Sequence, residues 1–158
     1  QILIEFVGES VTNSIVSAVL NLSFERRGAL LCIVKTKQSV KALVSDHGKD
    51  TQANSFLRKG LKGLDITNRA EKQIITAAAA IDGAVILDEN GKVFDIACMV
   101  GKANDEQMNK LGIEEAQVFP GARTTAAWNA SLFGIAIKVS ADGQIIVFYE
   151  GKIIWEIG

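Results

Sequence analysis

The sequence feature that most constrains the fold is an unbroken apolar run, Ala29-Leu30-Leu31-Cys32-Ile33-Val34. A strand with one face in water alternates apolar and polar residues, so a continuous apolar run predicts burial on both faces. Ala84-Val85-Ile86-Leu87 has the same character. With 158 residues, 48% of them hydrophobic, the chain is long enough to cover such a sheet. We therefore expect an α/β domain in which both runs are inner strands of a mixed central β-sheet, flanked by helices on both faces.

Apolar periodicity and capping residues predict the other early elements. Residues 2–7 form a short apolar run and are predicted to be a strand. Residues 11–27 repeat apolar positions every three or four residues, which predicts a helix that Gly28 ends. Residues 68–80 predict a second helix. Residues 123–132, which follow the single proline and include Trp128 as a core residue, predict a third.

Turn residues predict the antiparallel parts of the sheet. Asn90-Gly91 is a strong hairpin signal and should join strands over residues 84–87 and 93–100. Residues 134–157 contain three strand-like segments separated by glycine turns, which predicts a meander. Residues 35–63 are assigned only loosely, with a helix-like stretch at 40–44.

Composition excludes several classes of function. Seventeen basic residues against 18 acidic ones give a net charge of −1, so we expect no direct nucleic-acid contact and no membrane contact by this domain. The only two cysteines, Cys32 and Cys98, lack metal-site spacing and are predicted to be buried free thiols in a cytoplasmic protein. The lone His47 indicates neither a metal nor a catalytic site. Because the chain starts at Gln1, we expect residues 1–158 to be a single domain taken from a longer protein.

Two short motifs contain the residue types that a small-molecule site needs. Asp82-Gly83-Ala84 lies at the entrance of the second buried run, and Pro120-Gly121-Ala122-Arg123-Thr124-Thr125 puts a glycine turn before an arginine at a helix start. A carboxylate can bind a metal ion or take a proton, whereas an arginine and the free N–H groups of a helix N-terminus can bind an anion. Nucleotide sites in α/β sheets form where strand ends meet helix N-termini. We therefore expect the two motifs to line one cleft.

Several segments, in order along the chain, resemble one known family. They are Arg26-Arg27-Gly28-Ala29-Leu30, Asp82-Gly83-Ala84, Ile96-Ala97-Cys98, Gly121-Ala122-Arg123-Thr124-Thr125-Ala126-Ala127 and Val139-Ser140-Ala141-Asp142-Gly143. Together they resemble the diadenylate cyclase domain of the bacterial DNA-integrity scanning protein and its relatives. The match covers residues 23–157, and the shared order of the motifs makes it specific.

The resemblance implies a chemistry and a set of site residues. That family makes cyclic di-AMP from two ATP molecules held face to face in a dimer, so a homo-oligomer is expected here. Its aspartate works with a divalent metal ion at the attacking 3′-hydroxyl, which would make Asp82 the catalytic residue of an active enzyme and the ligand of Mg²⁺ or Mn²⁺ when nucleotide is bound. The nucleotide-binding residues implied are Asp82, Gly83, Ala84, Gly121, Arg123, Thr124 and Thr125.

The phosphate-binding motif departs from the family's Gly-Thr-Arg-His-Arg pattern. The threonine is replaced by Ala122, the histidine by Thr124 and the second arginine by Thr125, so that only Arg123 is kept. The acidic residue that follows the family's late Val-Ser is Ala141.

Three functions are compatible with these residues. The favoured one is a degenerate cyclase-like domain that binds ATP or a cyclic dinucleotide and serves as a sensor or regulator. A working diadenylate cyclase is favoured by Asp82-Gly83-Ala84 and opposed by the changes around Arg123, so we expect a largely inactive domain. A structural or oligomerising domain without a ligand would have its pocket filled by side chains.

Overall fold

The computed structural model describes residues 1–46 and 52–158, and His47 lies outside these ranges. The described residues form seven helices and seven strands. In chain order they are α1 (Ile2–Val7), α2 (Glu9–Phe24), β1 (Ala29–Val34), α3 (Lys37–Leu43), β2 (Val44–Asp46), α4 (Gln52–Leu61), α5 (Arg69–Ala79), β3 (Ala84–Leu87), β4 (Val93–Val100), α6 (Asp105–Leu111), α7 (Ala122–Ser131), β5 (Gly134–Val139), β6 (Ile145–Tyr149) and β7 (Lys152–Ile157).

The strands form one mixed sheet in the order β2-β4-β3-β1-β5-β6-β7. The first apolar run, β1, is the central strand, pairing in parallel with β3 and antiparallel with β5. All six residues of β1 and all four of β3 are buried, which confirms that both runs are inner strands. The fold class predicted from the sequence, a mixed central sheet with helices on both faces, is confirmed.

Helices cover the two faces of the sheet with separate apolar cores. On one face α2 and α5 pack against residues such as Leu31, Ile33 and Ile137. On the other face α7 packs against Cys32, Ala136 and other residues of alternate strand positions. No helix in residues 1–46 or 52–158 has the length and apolar character needed to cross a membrane.

The prediction of a strand over residues 2–7 is wrong, because this segment is helix α1. Leu3, Phe6 and Val7 pack partly buried against the α2 side of the core, and the Phe6 ring meets Tyr149 edge-on at 6.1 Å between centroids. The spacing of these three residues is helical. A six-residue apolar run is too short for periodicity alone to separate helix from strand.

The predicted end of α2 is also wrong, since the helix stops at Phe24 rather than at Arg27. Arg26 takes the left-handed conformation with φ 55°, and the Arg27 N–H donates to the Leu22 carbonyl at 2.9 Å. A 6→1 hydrogen bond that follows a residue in the left-handed conformation defines the Schellman motif, in which the left-handed residue is usually glycine. Gly28 therefore does not end the helix, and its lack of a side chain serves a contact with α7 instead.

Several of the remaining elements follow the sequence patterns, whereas β2 and α4 lie in the segment that the sequence assigned only loosely. Asn68 caps α5, its side-chain oxygen accepting hydrogen bonds from the backbone N–H groups of Ala70 and Glu71. The hairpin through Asn90-Gly91 joins β3 and β4 as antiparallel neighbours, and β5 to β7 form the predicted meander. The helix-like stretch at 40–44 corresponds to α3, although Val44 already belongs to β2.

Candidate functional site

A cavity of about 610 Å³ opens at the edge of the sheet where β1 and β3 begin, where β5 ends, and where α7 starts. Its lining residues come from both predicted motifs and from four strands: Leu30, Asp82, Gly83, Ala84, Cys98, Met99, Val100, Pro120, Gly121, Ala122, Arg123, Thr124, Ala126 and Lys138. Ligands of parallel α/β sheets usually bind at the carboxyl ends of the strands. Here the parallel pair β1 and β3 contributes its amino ends, and β5, which runs antiparallel to β1, ends at the same edge.

The start of α7 gives the cavity its anion-binding character. Gly121 is the N-cap residue with φ 105°, and no side chain caps the helix. The first N–H groups of a helix have no partner within the helix, and they carry its positive dipole end. This turn therefore offers hydrogen-bond donors to a negatively charged group.

Thr125 does not line the cavity. Its hydroxyl accepts a hydrogen bond from the Phe119 N–H at 2.9 Å and donates one to the Phe119 carbonyl at 3.2 Å. Both contacts hold the loop that leads into Gly121. Thr125 is thus a residue that shapes the turn before α7, and the expectation that it contacts a nucleotide is not supported by its position.

Arg123 reaches from α7 to the start of β1. Its guanidinium lies against Gly28, where an added methyl group would meet the terminal nitrogen and would sit 3.2 Å from the central carbon. The same position is 3.7 Å from the Ala141 backbone nitrogen. The missing side chain at Gly28 thus makes room for the arginine head group, a role that the sequence pattern did not indicate.

Asp82 and Gly83 form the turn that enters β3. The exposed Asp82 carboxylate accepts a hydrogen bond from the Gly83 N–H at 3.1 Å. Gly83 has φ 94°, and a side chain there would approach the Ala97 backbone to within 2.6 Å. Ala97 itself has φ 51° and lies where the β3–β4 register shifts. Only glycine fits this turn without strain, because both the conformation and the close strand exclude a Cβ atom.

Lys138 is a cavity residue that the sequence motifs did not include. It occupies β5 among apolar neighbours and is only 8% exposed. Its ammonium donates a hydrogen bond to the Gln144 side-chain oxygen at 3.3 Å. A basic residue inside an otherwise apolar strand, Ile135-Ala136-Ile137-Lys138-Val139, was the available signal.

The two thiols are buried as predicted, and both are free. Burial raises the pKa of Cys32 to about 12. Burial, with a smaller contribution from the Asp95 charge, raises the pKa of Cys98 as well. Cys98 therefore meets the cavity as a neutral thiol rather than as a nucleophilic thiolate.

The structure thus brings six of the seven predicted site residues around one cavity and leaves Thr125 outside it. The charged lining groups are one carboxylate, Asp82, and two cations, Arg123 and Lys138. Whether these residues bind a nucleotide or a metal ion stays a prediction.

A larger cavity of about 730 Å³ lies on the opposite face, between α1, α2 and the strands of the meander. Its walls are mostly aliphatic, with Trp155 at one side, and it contains none of the predicted residues. A phosphorylated ligand needs charged or hydrogen-bonding partners, so the smaller cavity is the candidate site despite its size.

The layers, the strand order and the cavity describe a mixed α/β domain, and comparison with solved structures identifies the kind of fold. No protein-family model matches this chain, and no curated protein matches it in sequence. A hypothetical membrane spanning protein from Bacillus cereus is similar with a TM-score of 0.61 and 18% identity, over 93% of this chain and 63% of that chain. DacA from Staphylococcus aureus, solved as a double mutant, is similar with a TM-score of 0.54 and 20% identity, over 94% of this chain and 87% of that chain.

The chain therefore shares the fold of DacA, a diadenylate-cyclase-like fold. At such low identity the likeness extends to the fold alone.

Proposed function

We propose that this domain binds a phosphorylated nucleotide, ATP or a cyclic dinucleotide, in the cavity between Asp82-Gly83-Ala84 and the start of α7, and that it works as a sensor or regulatory module. The observation that carries the proposal is the convergence of two motifs, distant in sequence, on one cavity. The diadenylate-cyclase-like fold supports the choice of ligand class.

The chemistry of the cavity suits a nucleotide. Its volume falls within the range of about 300–1,000 Å³ that is usual for small-molecule sites. Arg123 and the N-terminal turn of α7 would hold phosphate oxygens. Leu30, Met99 and Ala126 offer apolar wall for a base or ribose.

Asp82 is the residue that would hold Mg²⁺ or Mn²⁺. Among the described residues no group of three or more histidine, cysteine or acidic side chains is arranged to bind a metal ion. Magnesium often binds through one or two carboxylates together with substrate phosphates and water. The donor set therefore suits a cation that arrives with the nucleotide, where it would neutralise phosphate charge, rather than a metal ion held by the protein alone.

We expect little or no diadenylate cyclase activity. Phosphoryl transfer depends mostly on positioning and charge stabilisation, and Thr124 and Thr125 replace two charged donors of the resembling family. Hydrogen bonds to charged groups contribute about 1.5–3 kcal/mol each, so losing two costs on the order of 3–6 kcal/mol, or roughly a hundredfold to ten-thousandfold. An open cavity, rather than one filled by side chains, supports ligand binding over a purely structural role.

A thermal-shift screen tests binding. The purified domain is titrated with ATP, ADP, GTP, cyclic di-AMP and cyclic di-GMP, with and without manganese. A ligand at a hundred times its dissociation constant should stabilise the fold by about 2.7 kcal/mol. Arg123→Ala should abolish the shift, whereas Arg69→Ala, at an exposed arginine outside the cavity, should keep it. A flat screen for the wild-type protein would refute the proposal and favour a structural domain.

A second assay distinguishes the sensor from the enzyme. The domain is incubated with ATP and magnesium or manganese, and cyclic di-AMP is measured by chromatography. We expect no product or only traces. Robust product that disappears in Asp82→Asn would instead assign Asp82 as a catalytic residue of a working cyclase. Sedimentation of the protein with and without nucleotide tests the expected homo-oligomer.

A further inference from the structure

The feature that the proposed function leaves unexplained is the buried lysine in the central sheet. Lys138 pairs across the sheet with Leu30 on one side and Ile146 on the other, and both neighbours are buried. The residues beside Lys138 along β5 are apolar and buried, so the sequence pattern predicts an apolar residue at this position. Lysine is almost never this deeply buried unless its charge is paired.

The protein itself satisfies the Lys138 ammonium poorly. The hydrogen bond to the Gln144 oxygen is long, at 3.3 Å, and an ammonium group can donate three. Within residues 1–46 and 52–158, Lys138 forms no ion pair with a carboxylate. The charge of Lys138 contributes only weakly to the lowered pKa of the exposed Asp142, which is due mainly to the Ser140 hydroxyl. The Gln144 side chain, which accepts from Lys138, also donates to the exposed Glu156 carboxylate at 2.9 Å.

A buried cation without a matched anion is unfavourable, and it lines the same cavity as Arg123. The lining contains two basic side chains, Arg123 and Lys138, and a single carboxylate, Asp82, so basic groups outnumber acidic ones. Phosphate oxygens would supply the missing anion. The two cations can then bind these oxygens even when no metal ion accompanies the nucleotide.

Resting on the proposed function, we infer that Lys138 and Arg123 together bind the phosphate groups of the nucleotide, and that the cavity therefore does not require a divalent cation to bind its ligand. Lys138 supplies the charge that the resembling family draws from groups replaced here by Thr124 and Thr125. The ligand class is accordingly a nucleotide with at least two phosphate groups, which the two cations can bind with or without a divalent cation.

Calorimetric titration of the domain with ATP, AMP and cyclic di-AMP tests this inference, each in excess EDTA and again in excess magnesium. We expect the ATP dissociation constant in EDTA to lie within about threefold of its value in magnesium. Lys138→Met should weaken binding in EDTA roughly tenfold to a hundredfold, the loss of one hydrogen bond to a charged group. Lys138→Arg should keep part of the affinity that Lys138→Met loses, because it retains a positive charge.

A separate measurement distinguishes a binding role from a structural one. Without ligand, Lys138→Met should melt at the same temperature as the wild type or higher, because it removes a buried, poorly paired charge. Lys152→Met, at an exposed lysine on β7 outside the cavity, should change neither binding nor melting temperature.

The outcomes separate this inference from the proposal beneath it. Binding that EDTA abolishes, binding that Lys138→Met leaves unchanged, or a clear loss of stability in ligand-free Lys138→Met would each overturn the role of Lys138 while leaving nucleotide binding in place. If the wild-type domain binds none of the nucleotides in either buffer, the proposed function fails and this inference fails with it.

Discussion

Replacing Gly83 by alanine should destabilise the fold far more than the addition of one methyl group suggests. Two separate costs act at this position. The backbone has φ 94°, where an L-residue is strained, and the new methyl group would lie 2.6 Å from the Ala97 carbonyl carbon and 2.9 Å from the Cys98 nitrogen. Because these atoms are backbone in the neighbouring strand β4, a side-chain rotation cannot relieve the contact.

Other glycines of the chain allow each cost to be measured alone. Gly63 has φ 83° with nothing within 4 Å of an added methyl group, so Gly63→Ala measures the backbone strain. Gly60 lies within α4 with equally open space and no positive φ. Gly60→Ala should therefore stabilise the protein by about 0.5–1 kcal/mol, the usual gain of alanine over glycine in a helix.

These contributions predict a graded series. Left-handed strain costs about 1–2 kcal/mol, partly offset by about 0.4–1 kcal/mol of lost freedom in the unfolded chain, so Gly63→Ala should destabilise by about 1 kcal/mol. Overpacking against fixed atoms adds about 1–3 kcal/mol, which gives about 2–4 kcal/mol for Gly83→Ala. That is a large part of a typical stability of about 5–15 kcal/mol.

Urea denaturation followed by circular dichroism measures all three variants. With a slope of about 2 kcal/mol per molar urea, Gly83→Ala should lower the midpoint by about 1–2 M at unchanged slope. If Gly83→Ala is no more destabilising than Gly63→Ala, the contact with β4 is not tight, and close packing against that strand is not the reason for glycine in the Asp82-Gly83-Ala84 turn.

Three further predictions concern the scaffold. Asn68→Ala should destabilise the protein by about 0.5–2 kcal/mol in urea, because the side-chain oxygen that accepts from the first turn of α5 at 3.0 and 3.2 Å is lost. Hydrogen bonds from the Thr67 hydroxyl and N–H lower the pKa of Asp65 below its ordinary 3.8. The Asp65 carboxylate therefore stabilises the folded protein above that pH, and this stabilisation is lost as the pH falls through the lower pKa of the folded state. Asp65→Asn should therefore cost stability at pH 7, and the cost should shrink in urea titrations toward acid; a constant difference would contradict this. Cys32 and Cys98 should react with a thiol reagent only after the protein unfolds, and labelling of the native protein at the rate of a free thiol would disprove their burial.

The sequence alone determined the inner strands, the hairpin, the meander and helices α2, α5 and α7, because their signals are local. A continuous apolar run predicts burial on both faces wherever it occurs, and this is the environment of β1 and β3. The hairpin at Asn90-Gly91 and the cap at Asn68 depend on the conformational preferences of single residues. Trp128, predicted to be core, is buried, and its ring N–H donates to the Gly151 carbonyl at 2.8 Å.

The sequence could not determine contacts that arise when distant segments meet. Residues 2–7 became a helix because α2 and the sheet offered a surface for Leu3, Phe6 and Val7. Gly28 looked like a helix end, yet Arg26 ends the helix and Gly28 accommodates the Arg123 head group from a helix far along the chain.

The candidate site shows the same division. The two motifs could be found from their residue types. The lysine in the apolar pattern of β5 marked Lys138 as unusual, but the pattern did not indicate which cavity it lines. The antiparallel pairing of β5 with β1 brings Lys138 to the cavity edge where α7 begins. The loop that precedes α7 places the Phe119 N–H where it donates a hydrogen bond to the Thr125 hydroxyl, so Thr125 does not line the cavity. Local sequence preferences fix the elements, whereas the charge and shape of the cavity depend on side chains that meet only after the chain has folded.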